Sequence, residues 1–210
     1  MVQFQQWEVP VKRLLFLGCG AFVLWHFFAP LPKATWHGLA APAEPVQAMD
    51  ALPAPWKLGQ KTITPRARYE IKAVVLSKHH YWAGRDEDDI SPYDLALGWG
   101  VMSDAAVINA LKVSQYGRWY NYTWQDAPPA DPGDIARHSS NNHIVAASRN
   151  IASKIEALKR LDVVFLKGYL VDITQPDGWS WETSLRRDDS GGGACELFWV
   201  DTVEYEKGAL

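Results

Sequence analysis

Leu14 to Phe28 reads LLFLGCGAFVLWHFF, fifteen residues without an acidic side chain, lysine or arginine, preceded by Lys12 and Arg13 and followed by Ala29-Pro30-Leu31-Pro32. A run of this kind is driven out of water, and in a bilayer only a helix lets such a segment satisfy its own backbone. A full span takes about 20 residues, with a range of roughly 17 to 25. Flanking residues and the snorkelling stems of Lys12 and Arg13 make up the difference. The reading is a single-pass anchor over residues 14–31. The positive residues precede the run and only Lys33 follows closely, so the positive-inside bias keeps residues 1–13 in the cytoplasm. The remainder is then expected in the periplasm or outside, tethered to the cytoplasmic (inner) membrane.

Two rival readings of the run are weaker. A cleaved signal peptide needs small residues just beyond the apolar stretch, but the nearest such pattern is Ala41-Pro42-Ala43, distant and interrupted by proline. A lipidated Cys19 in Phe16-Leu17-Gly18-Cys19 would be followed by polar chain, whereas the apolar run continues to Phe28.

With 210 residues there is room for one domain besides this segment. A net charge of -3 gives no pull toward nucleic acid, which is not expected as a partner. The expected partners are the membrane and another membrane or envelope protein. Eleven tryptophans point to an aromatic-rich core or to aromatic contact surfaces. The two cysteines, Cys19 and Cys195, fall on opposite sides of the membrane in this reading, so no disulfide joins them. Cys195 is then a lone thiol that is buried, reactive or paired with another chain.

Residues 32–67 hold six prolines, five of them between 33 and 66, most of them among alanines with no sustained period, which reads as a semi-extended linker or a wrapping arm. An α+β domain is expected over residues 68–210. Its strands are placed at Tyr69 to Leu76, Ser114 to Trp124, Asp162 to Ile173, Gly178 to Leu185 and Cys195 to Val203. Helices are placed at Ser103 to Leu111 and at Ser148 to Leu161, each opening on a capping serine. In the second helix Ile151, Ile155 and Leu158 share one side. In DVVFLKGYLVDI, Val164, Leu166 and Leu170 lie on one face and Val163, Phe165, Tyr169 and Val171 on the other, with Gly168 at the expected bend. The predicted architecture is a partly closed five-stranded antiparallel small barrel with two helices. Its layout resembles an OB-like barrel.

The order of GWGVMSD, HSSNNH, DVVFLKGYLVDI and GACELFWV also resembles that of bacterial envelope proteins with an N-terminal anchor, over residues 68–203. That resemblance implies location; no activity attaches to its motifs.

His138-Ser-Ser-Asn-Asn-His143 is expected in a loop, where serine and asparagine bond nearby backbone. His138, Asn142, His143 and Cys195 are expected around one concavity beside the curled sheet. In the catalytic version of that expectation an imidazole activates the Cys195 thiolate for acyl transfer. Gly191-Gly192-Gly193 precedes a strand and so is not read as a phosphate loop. Tyr116, Arg118, Tyr120, Tyr122 and Trp124 are expected to share one strand face, for binding sugar or protein or for cross-strand packing. His79-His80 and the acidic stretch RDEDDI read as a solvated turn without calcium-loop spacing. No cofactor and no metal are expected. The favoured function is a non-catalytic binding or assembly module contacting another envelope component; the alternative is a thiol- or metal-dependent hydrolase or transferase using Cys195 with His138 and His143.

Overall fold

A computed structural model describes residues 31–82, 84–186 and 195–208. The predicted span from Leu14 falls almost wholly outside them. Among the described residues no helix is long and apolar enough to cross a membrane. Lys33–Leu210 forms one compact unit, α+β in class, with 46% strand and 18% helix.

Ten strands run in chain order: β1 Val46–Ala48, β2 Trp56–Leu58, β3 Lys61–His80, β4 Tyr93–Gly98, β5 Lys112–Tyr116, β6 Trp119–Thr123, β7 Ser139–Ala146, β8 Val163–Thr174, β9 Ser180–Trp181 and β10 Glu196–Glu206. Among the described residues four α-helices, where two were expected, lie between them: α1 Asp86–Ile90, α2 Ala105–Ala110, α3 Pro132–Arg137 and α4 Arg149–Ala157, with a 3-10 turn at Gly100–Ser103. Pairing runs β3-β4-β7-β10-β8 and returns from β8 to β3, so the sheet is partly ring-like. Four of the five joins are antiparallel. The fifth, β7 with β10, is parallel, which corrects the all-antiparallel expectation. A parallel neighbour needs a crossover, and α4 and β8 between β7 and β10 supply it.

The length of β3 follows from its sequence. Buried residues alternate with exposed or half-buried ones from Ile63 to Ala73, and the strand's pairing with β8 carries an irregularity between Pro65 and Ala67. Proline lacks a ladder donor, and an extra residue there shifts the alternation by one. Ile63 accordingly packs in an outer cluster, while Ala67, Tyr69, Ile71 and Ala73 face the ring interior. The interior is filled by these residues with Leu95, Leu97, Ile144, Val164, Leu166, Leu170, Phe198 and Val200. Helix α4 adds Ile151, Ile155 and Leu158 to the same cluster. Its Ser148 caps the N-terminus by accepting from the N–H of Ile151 at 3.3 Å, as the sequence indicated.

The other expected helix, Ser103 to Leu111, is capped differently. Asp104, not Ser103, accepts from the Ala106 N–H, because Ser103 turns inward to accept from Ala41 N–H and to donate to the Gly100 carbonyl. These contacts show that residues 33–60 wrap the compact unit. Asn109 exchanges two hydrogen bonds with the backbone of Ala34, both 2.9 Å, and Trp36 donates to the Ser103 carbonyl. The arm then adds β1 and β2 to the edge of β3, which begins at Lys61 and not at Tyr69.

Gly168, in mid-strand, marks the closest approach of β8 and β10. A Cβ there would lie 2.0 Å from the Trp199 carbonyl oxygen. Gly168→Ala is therefore expected to lower stability by about 1 to 3 kcal/mol or more. A urea midpoint equal to that of the unchanged protein would refute it.

Candidate functional site

The polar centre of the domain begins with Asp94. Its neighbours in β4 alternate so that Leu95 and Leu97 face the ring interior while Asp94 and Ala96 face outward. Asp94 is nonetheless fully buried. An ionised carboxylate in that position needs partners, and it has three. His143, its register partner across β4 and β7, places Nδ1 2.8 Å from Oδ1. Arg118 donates from Nη1 at 2.7 Å, and Asn141 Nδ2 lies 3.4 Å from Oδ2.

Arg118 is brought there by a hairpin. β5 and β6 form a separate two-stranded sheet, with Tyr116 opposite Trp119 and Gly117-Arg118 as the two-residue turn. Both turn residues have positive φ, 59° and 71°, the geometry of a tight primed hairpin turn. The turn aims the guanidinium inward, where Nη2 donates to Asp88 Oδ1 at 2.7 Å. The same group lies over the Tyr81 ring at 3.8 Å from its centroid and 5.5 Å from that of Trp181. The Arg118 backbone N–H donates to the Tyr81 hydroxyl at 2.9 Å, and its carbonyl accepts from Asn141 at 3.1 Å.

Burial opposes ionisation of Asp94, but His143 and Arg118 overcome it and hold the carboxyl below the usual carboxylate range. Asp88 is shifted the same way, burial again being outweighed by hydrogen bonds from Arg85 and Arg118. Tyr81 is pushed up to about 12 by burial and by the Asp94 charge.

The expected site residues separate. Alternation along β7 turns Asn141 and His143 outward but Asn142 inward, where its amide donates to Ser140 and its Oδ1 has no partner among the described residues. HSSNNH is thus mostly strand and not loop, a correction that follows from its place between two pairing partners, β4 and β10. His138 caps the C-terminus of α3 and belongs elsewhere. Its Nδ1 is 2.7 Å from the Asp134 carbonyl and its Nε2 3.0 Å from Glu44 Oε1. Both partners are acceptors, and only a doubly protonated ring donates to both at once. Glu44 also accepts from Trp99 Nε1 at 2.8 Å, which ties the arm to the ring. Cys195 stands beside Asn141, with Sγ 3.8 Å from Nδ2 and 3.9 Å from the Arg118 carbonyl. The four residues do not line a single concavity.

The aromatic stretch from Ser114 to Trp124 is also not one strand, because Gly117-Arg118 folds it back on itself. Tyr120, Tyr122 and Trp124 share a face that packs on the cluster under α2 and α3. Tyr116 is 85% exposed, and Arg118 is turned inward. RDEDDI is no solvated turn: it forms α1 and buries Asp88. Among the described residues no group of three or more histidine, cysteine or acidic side chains is placed to hold a metal ion.

Sequence reading missed Tyr81, Asp88, Asp94, Asn141 and Trp181. The signal for Asp94 was present: a lone carboxylate inside the apolar alternation YDLALGW marks a buried charge that requires a cation. Compared with protein-family models, curated proteins and solved structures, the chain matches none.

Two consequences are testable. Arg118→Ala leaves two buried carboxylates short of their main cation and should cost on the order of 3 to 5 kcal/mol in chemical denaturation. Asp88 and Asp94 have folded pKa values below the unfolded value of about 3.9, so their contribution is complete above that pH. It is lost as pH falls through the folded values. Stability of the unchanged protein should therefore fall steeply below about pH 4, and Asp94→Asn should flatten that slope. Parallel slopes in the two proteins would contradict the assignment.

Proposed function

We propose that the chain is a membrane-anchored, extracytoplasmic binding or assembly module that contacts another envelope or membrane-protein component, and that its ring is an OB-like small barrel. The strand path supports the second half. The ring's first strand, β3, pairs with its second and fourth, the third pairs with the fifth, and a helix separates third from fourth. In such barrels ligands meet the second and third strands together with the loops after the first and fourth. Here those are β4, β7, the α1 segment and the segment carrying Trp179 and Trp181.

One observation carries the binding reading. Trp82, Tyr116 and Trp119 are 82%, 85% and 46% exposed, and all three flank the contact between Tyr81 and Arg118. Large aromatic side chains left in water beside a rigid, internally paired core fit a contact surface, since tryptophan and tyrosine dominate interface energetics. Both imidazoles of HSSNNH are already committed to carboxylates of the same chain. The apolar run Leu14 to Phe28, with Lys12 and Arg13 before it, supports the anchor.

The thiol reading retains one supporting observation. Asp94 orients His143 at 2.8 Å, and Cys195 sits on the next strand's start, beside Asn141. Under it, alkylation of Cys195 should follow a pKa well below the ordinary thiol value of about 8.5. An ordinary profile, or no reaction, excludes it.

The module reading is tested with full-length protein in mild detergent. Trp82→Ala and Trp119→Ala together should abolish capture of the partner while changing stability by no more than about 0.5 kcal/mol each, as surface substitutions do. Undiminished capture would overturn it. A reporter active only in the cytoplasm, fused after Leu210, should be silent; activity would overturn the topology.

A further inference from the structure

We propose that Tyr81, Asp88, Asp94 and Trp181 form a socket for an arginine side chain of a protein partner, which Arg118 occupies as an internal plug in the free protein. The proposal rests on the binding-module reading and names the chemistry of its contact.

The socket has the chemistry of a guanidinium site. Two buried carboxylates each take a different Nη at 2.7 Å, and an aromatic face lies 3.8 Å from the guanidinium carbon. A planar fork satisfies all three demands together, whereas an ammonium is a point charge that cannot stack. The parts are positioned without the plug. Asp94 is held by His143 and Asn141, and Asp88 by Arg85 at 3.2 Å. Tyr81 packs on His79 at 4.5 Å and Trp181 on His143 at 4.8 Å.

The plug differs from its socket in each of these respects. Its hairpin makes its own two-stranded sheet, outside the ring's backbone ladder. Arg118 sits at φ 71° because the two-residue turn demands it, a conformation costly for a side-chain-bearing residue that keeps the tip at higher energy than the strands behind it. Its Nε is buried without a hydrogen-bond partner among the described residues, so the internal occupant leaves a donor unsatisfied that a guanidinium entering from another direction can place better. The backbone contacts of the tip, an N–H donated to the Tyr81 hydroxyl and a carbonyl that accepts from Asn141 and Cys195, are ones any extended backbone can supply. Tyr120, Tyr122 and Trp124 keep the far half of the hairpin packed, so release is confined to the tip. Exposed Trp82, Tyr116 and Trp119 lie within two residues of Tyr81 or Arg118 along the chain and offer the partner apolar contact.

Hydrogen exchange of the full-length protein tests this, with acetyl-Gly-Arg-Gly-amide and its lysine counterpart as probes. The arginine probe should raise exchange of the amides from 116 to 119 at least tenfold, and the lysine probe should not. No change at millimolar arginine probe, or an equal change with both, overturns the proposal. In Arg118→Ala the arginine probe should bind at least tenfold tighter than to the unchanged protein, and adding Asp94→Asn should remove that gain. Should Arg118→Ala fail to fold, Arg118→Lys carries the same comparison. If the rim tryptophan substitutions abolish partner capture while the arginine probe has no effect, the socket is wrong and the module reading stands. If the probe behaves as expected while those substitutions leave capture intact, the socket stands and the aromatic surface does not.

Discussion

A fully buried carboxylate governs the domain. Asp94 cannot be ionised inside the protein without compensation, and the cost of an isolated charge there exceeds the whole stability of an ordinary domain. The chain answers by converging four separate segments on it: β7 through His143 and Asn141, the hairpin through Arg118, the α1 segment through Asp88 on the same guanidinium, and β9 through Trp181 against His143. Each segment would otherwise be an independent loop or strand edge. The segments meet in one polar cluster, and removing Arg118 leaves Asp88 and Asp94 short of the cation they share.

The arm is fixed by the same logic at smaller scale. Trp99 is buried beside the ring and its indole N–H needs an acceptor, which Glu44 provides while its other oxygen meets His138. Proline-rich sequence denies the arm regular secondary structure for most of its length, but it does not deny it hydrogen bonds to Ser103 and Asn109. A segment that composition alone describes as a linker is thereby part of the folded unit.

How far the fold could be read from the sequence depends on the kind of residue. Apolar alternation located β8 and the start of β10 and assigned Val164, Leu166 and Leu170 to one face, because that face is the ring interior. Helical spacing placed Ile151, Ile155 and Leu158 correctly for the same reason. The number of ring strands was anticipated, but two of the five were different strands. β4 was passed over since Asp94 and Gly98 interrupt its apolar run, and β7 because serine and asparagine suggest turns. In their place stood the hairpin, whose Gly117-Arg118 turn was read as strand, and the Gly178 to Leu185 segment, of which only Ser180–Trp181 is paired. The two omitted strands carry polar residues whose partners are distant in sequence, so local propensity carried no information about them, whereas the hairpin error passed over a local glycine turn.

HSSNNH shows why pairing outranks propensity. Placed in a loop, its asparagines would bond neighbouring backbone; placed between β4 and β10, they are forced to opposite faces of one strand. Asn141 then meets Asp94, Gln115 and the hairpin tip, while Asn142 enters the ring with Ser140. The two histidines, five positions apart, are separated by the strand's start: His138 closes a helix and His143 completes a buried ion cluster. Six residues that read as a single polar motif therefore serve three different environments. The consequence is directional, since a substitution at His143 acts on Asp94 and through it on Arg118, whereas one at His138 acts on Glu44 and the arm.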